Sequence, residues 1–73
     1  STHDTWSAKV RRLLLEKRNG FPTLPVAARH FNMTPRTLHR RLEEEASSFR
    51  DVLEQARHDL AIEHLKSMRF SVQ

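Results

Sequence analysis

Apolar residues in this chain return every three or four positions, the spacing of one face of a helix. Trp6, Val10, Leu13 and Leu14, with Arg11, Arg12, Glu16 and Arg18 interspersed, predict a first helix over about 5–18. Asp4 or Thr5 can cap its start, and Gly20, the only glycine, can take the left-handed conformation that ends such a helix. Leu24, Ala27, Ala28 and Phe31 predict a short second helix over about 24–31, with Thr23 as N-cap and Pro25 in the first turn, where its missing N–H costs nothing. Asn32 follows, a residue that tolerates positive φ. Thr34-Pro35 repeats the start signal, and Leu38 and Leu42 are the buried pair of a third helix running to about Glu45. Ser47 or Ser48 can cap a fourth helix over 48–67, with Phe49, Val52, Leu53, Ala56, Leu60, His64 and Met68 on one stripe and Ile62 and Leu65 beside it. No alternating pattern marks a strand. The expected fold is all-α: one domain of four helices over 1–73, with a helix-turn-helix at 23–45 and a long linker helix after it.

Composition narrows the class. Seventy-three residues allow one small domain. Hydrophobic residues at 37% and charged residues at 30% fit neither a membrane span nor a disordered tail. Cysteine is absent, which excludes disulfides and thiolate metal sites. A soluble, cytoplasmic domain is expected. Residues 1–42 carry nine cations against two anions, and residues 43–73 carry four against seven. A basic half of this kind invites a polyanion, because counterion release drives such binding.

The third helix gives that charge a direction. At about 100° per residue, with Leu38 and Leu42 facing inward, Arg36 and Arg40 fall on the opposite side, flanked by Thr37 and His39. The planar fork of Arg can bond guanine O6 and N7 together, for about 1–3 kcal/mol of discrimination. Both Arg could instead be solvated helix formers; Arg40 has Glu44 at i+4, whereas Arg36 has no such partner. Glu43, Glu44 and Glu45 stand at the C-terminal end of this helix, where the dipole disfavours them, and pairing with Arg41 or Arg50 is the expected relief.

Leu24-x-x-Ala27-Ala28 followed by Met33-Thr34-Pro35-Arg36-Thr37-Leu38-x-Arg40-Arg41-Leu42 resembles the first helix-turn-helix of AraC/XylS-type bacterial transcription regulators. The resemblance continues through Ser48-Phe49, Val52-Leu53, Arg57, Ala61 and Leu65, which match that family's long connecting helix. It implies sequence-specific binding of double-stranded DNA, with the third helix in the major groove. Carried over by position, Arg36, Thr37, His39 and Arg40 match base-reading residues. Thr34 matches a phosphate contact, and Thr23 and Arg41 complete the phosphate-facing set. Asn32 and Ala46 stand where the family uses Gly. Residues 68–73, with Ser71 as a cap, look like the lead-in to a second helix-turn-helix that would start at 71–73. The chain is therefore expected to be a piece of a longer regulator, with any ligand-sensing or dimerising domain elsewhere.

Other chemistry finds little support. His58 and His64 are six apart and His30 and His39 nine apart, which is not the i,i+4 spacing of a helical metal pair. Ser47 and Ser48 have no His–Asp arrangement nearby, and no Gly-rich phosphate loop is present. Neither an enzyme nor a cofactor is expected. Trp6 reads as packing of the first helix. The competing function is a helical interaction module, in which the fourth helix or the acidic 43–59 stretch contacts a protein such as RNA polymerase.

Overall fold

The computed structural model describes residues 5–17 and 20–71, with side chains through residue 68. These form four α-helices and no strand: α1 (Trp6–Glu16), α2 (Leu24–His30), α3 (Pro35–Glu44) and α4 (Phe49–Ser71). Thr5 caps α1, its hydroxyl accepting the Ala8 N–H at 3.2 Å. Ser48 does the same for α4 through the Asp51 N–H at 3.1 Å. Asp4, the alternative cap, lies outside the described residues, as do Arg18 and residues 72–73.

One core joins the helices. Val10, Leu13 and Leu14 from α1 meet Ala27 and Ala28 from α2, Leu38 and Leu42 from α3, and Val52 and Ala56 from α4. The small Ala27 and Ala28 let α2 approach α3 closely, and α1 packs along α4. Trp6, half-buried, meets Phe31 edge-to-face with ring centroids 5.6 Å apart, and the Lys9 Nζ sits 4.2 Å from the Trp6 ring centroid. Trp6 thus belongs to the packing of α1 against the end of α2.

Two helix ends are built alike. After α2, the Met33 N–H returns to the Ala28 carbonyl and the Asn32 N–H to the Arg29 carbonyl; after α3, Ser47 returns to Leu42 and Ala46 to Glu43. Both are Schellman closures, which require a left-handed residue at the turning point. Asn32 has φ 60° and Ala46 has φ 57°. The third end differs from the sequence expectation. Lys17, at φ −105°, closes α1 by donating to both the Leu13 and Leu14 carbonyls, and the chain leaves through a turn from the Gly20 N–H to the Lys17 carbonyl. Gly20 itself does not have positive φ.

The fourth helix also departs from expectation. It begins at Phe49 and runs to Ser71, beyond the expected end at 67. Its stripe is buried at Val52 and Ala56 and partly covered at Phe49, Leu53 and Leu60, but Ile62, Leu65 and Met68 are exposed. Length explains this: α1 has 11 residues and α4 has 23, or about 17 Å against 35 Å of helix. The far half of α4 outruns its partner and gives a shape of 48 × 24 × 19 Å. No helix among the described residues is long and apolar enough to cross a membrane.

Ala46 carries a penalty that Gly would not, since left-handed backbone costs an L-residue about 1–2 kcal/mol. Ala46→Gly should therefore raise unfolding free energy by about 0.5–1 kcal/mol, after the extra unfolded-state entropy of Gly is subtracted. Asn32→Gly should gain less, because Asn already tolerates this conformation. Urea denaturation of both variants measures the difference.

Candidate nucleic-acid interface

The rotation of α3 is fixed by its leucines. Leu38 and Leu42 are fully buried, while Arg36, His39, Arg40 and Arg41 are exposed and Thr37 is half-buried. Two guanidinium groups one helical turn apart therefore face solvent on the side away from the core. Neither Arg36 nor Arg40 forms an ion pair among the described residues. Glu44, in reach of Arg40 by spacing, pairs with Arg41 instead at 3.9 Å. The Arg41 charge is thus partly offset within its own helix.

Thr34 opens α3 as a capping residue. Its hydroxyl accepts the Thr37 N–H at 3.2 Å and donates to the Thr37 Oγ1 at 2.9 Å. Thr23 precedes α2 with an extended backbone, and its carbonyl accepts the Ala27 N–H at 2.9 Å, but its side chain makes no cap bond. Beside the turn lies a shallow groove of about 490 Å³, bordered by Pro25, Arg29, Asn32, Met33, Thr34 and Pro35. The start of α3 and the outer side of α2 therefore share one surface.

The three glutamates are arranged differently from expectation. Only Glu44 pairs with Arg41, and none pairs with Arg50. Glu43 lies 3.3 Å from the His39 Nε2. Glu45, the C-cap of α3, reaches α1 instead: its carboxylate accepts the Trp6 N–H at 2.7 Å, the Ser7 N–H at 2.9 Å and the Ser7 hydroxyl at 2.5 Å. A carboxylate that is unfavourable at the end of α3 becomes favourable at the start of α1, where unpaired N–H groups and the positive dipole end await an anion. Burial by itself pushes the Glu45 carboxyl up. The Ser7 hydroxyl, the Ser7 and Trp6 N–H groups and the nearby Lys9 charge outweigh that effect and hold it below its ordinary value. Sequence spacing carried no signal for this contact, since the partners are 38 and 39 residues apart. Arg11 and Asp59 add a second tie, between α1 and α4.

A short helix, a turn through Asn32, and a second helix with one buried and one cationic face define the architecture. The fold is a helix-turn-helix. Over 67 residues, the chain is 42% identical to an uncharacterized HTH-type transcriptional regulator of Mycobacterium bovis and equally to one of Mycobacterium tuberculosis; each alignment takes in 92% of this chain and 20% of the relative. Over 57 residues it is 39% identical to the ornithine utilization regulator of Pseudomonas aeruginosa, across 78% of this chain and 17% of that protein. The chain thus spans about a fifth of the length of the curated relatives it matches. No family model and no solved structure matches it. This helix-turn-helix is therefore similar to a segment of proteins named as transcriptional regulators.

Glu45 sets the position of α3 against α1, and its removal has a pH signature. Glu45→Ala should lower stability by about 1–2 kcal/mol at pH 7, the range for losing a good N-terminal cap. Because the folded-state pKa lies below the unfolded value of about 4.3, this contribution is present above that pH and disappears as pH falls through the folded value. The stability gap between parent and variant should close on acidification, as followed by denaturation at a series of pH values. A gap independent of pH would contradict the assignment.

Proposed function

We propose that this chain is a sequence-reading module for double-stranded DNA within a transcription regulator of AraC/XylS type, with α3 in the major groove. The observation that carries the reading is the outward, unpaired pair Arg36 and Arg40 on a helix locked by buried leucines. The names of the relatives support the coarser part of it, regulation of transcription by a helix-turn-helix protein. An α-helix with its side chains is about 10–12 Å across, which matches a major groove about 12 Å wide. Arg36 and Arg40 then reach base edges, with guanine O6 and N7 as their natural acceptors. His39 and Thr37 flank them. Thr34, at the start of α3 with its hydroxyl shared with Thr37, is the phosphate contact there. Thr23 offers an exposed hydroxyl at the start of α2, and Arg41 contributes a weaker, partly neutralised charge to phosphate. Glu43–Glu45 lie at the far end of α3 and point away from a duplex entered N-terminus first.

A second reading has its own observation. Ile62, Leu65 and Met68 are exposed on α4, as an interaction module docking another protein would need. Polymerase contact belongs to that reading. It requires no role for Arg36 or Arg40, which is what separates the two.

Binding to duplexes selected from a random pool should fall steeply with added salt. Arg36→Ala and Arg40→Ala should each cost about 1–3 kcal/mol on the selected sequence and flatten base preference at one position. Fluorescence anisotropy on selected and scrambled duplexes measures both. Salt-insensitive binding that survives both substitutions would favour the interaction module.

A further inference from the structure

Of the cations outside α3 that form no ion pair among the described residues, one lies beside the turn into that helix. Arg29 stands in the last turn of α2, exposed, and borders the groove that continues onto Thr34 and Pro35. No ion pair engages it among the described residues. The sequence around it holds no Asp or Glu from Lys17 to Leu42. The first carboxylate beyond, Glu43, lies about 12 Å along the α3 axis from Pro35 and is itself against His39. The charge of Arg29 therefore meets no internal anion, and the surface beside the turn is positive.

Its place relative to α3 says what it would meet. A helix that fills a major groove has a sugar–phosphate backbone on either side of it. With α3 placed in this way, the strand flanking its first turn would pass over the groove bordered by Arg29, Asn32 and Thr34. We propose that Arg29 is a backbone anchor: its guanidinium takes two oxygens of one phosphate on that strand, the pairing for which a planar fork is suited. The proposal rests on the reading of α3 as the base-reading helix. It adds a contact that fixes register on the duplex and carries no sequence information. A cation in the last turn of α2 also suits the helix dipole, but that role would alter stability and leave salt dependence untouched.

The test uses the 73-residue chain with Arg29→Gln and Arg29→Lys, titrated at several salt concentrations against a selected duplex and a scrambled one. Arg29→Gln should weaken binding to both duplexes by a similar factor, about three- to tenfold, and reduce the slope of log K against log salt by about 0.9, one phosphate's share. Base preference and thermal midpoint should stay close to those of the parent, and Arg29→Lys should recover part of the affinity. Unchanged affinity and slope in Arg29→Gln, alongside weakened binding in Arg36→Ala, would overturn the anchor while leaving the reading of α3 intact. If Arg29→Gln, Arg36→Ala and Arg40→Ala all bind like the parent, both fall together.

Discussion

Burial of Leu38 and Leu42 is the constraint on which the rest of this molecule turns. These two side chains, with none of their surface exposed, lock α3 about its own axis against Ala27 and Ala28 on one side and the α1 leucines on the other. A rotation large enough to redirect Arg36 or Arg40 would expose both leucines, each worth about 1.5–3 kcal/mol of burial. In a domain of this size that is a large part of the total stability. The cationic face is therefore held outward by the core, and not by any contact of its own.

A second tie sets the position of α3 along its axis. The Glu45 carboxylate spans the end of α3 and the start of α1, bringing together a helix end that disfavours an anion and one that needs it. Glu44 offsets the Arg41 charge in part and Glu43 lies against His39, so the carboxylates of α3 gather at its C-terminal end, away from Arg36 and the turn. The exposed charge is thus concentrated on Arg36, Arg40 and the turn that leads into them. Such a distribution suits the proposed entry of the helix by its N-terminus, which would bring phosphate attraction and base reading onto the same few residues.

Much of this was legible in the residues because it is local. Threonine–proline starts, paired leucines and the asparagine at the turn each specify conformation within a few positions, and the four helices follow from them. What was not legible depends on distance or on competition. Glu45 finds Trp6 and Ser7 across the fold, and no spacing rule connects residues so far apart. Ala46 adopts φ 57° against its own preference because the closure of α3 demands it. Gly20, freer to do so, is not asked to. The stripe of α4 was legible as a face, but periodicity does not give the extent of its partner; α1 is too short to cover Ile62, Leu65 and Met68. Arg29 was visible only as one cation among many until the groove beside Thr34 gave it a neighbour.

The central claim is that the outward side of α3 is the surface that meets duplex DNA. Titration of the ¹⁵N-labelled chain with a selected duplex, followed by amide and arginine side-chain chemical shifts, tests it directly. The account predicts that the largest perturbations fall on residues 34–40, including the Arg36 and Arg40 side-chain Nε–H signals, with residues 61–68 little changed. Perturbations centred on Ile62, Leu65 and Met68, with Arg36 and Arg40 unmoved, would contradict it.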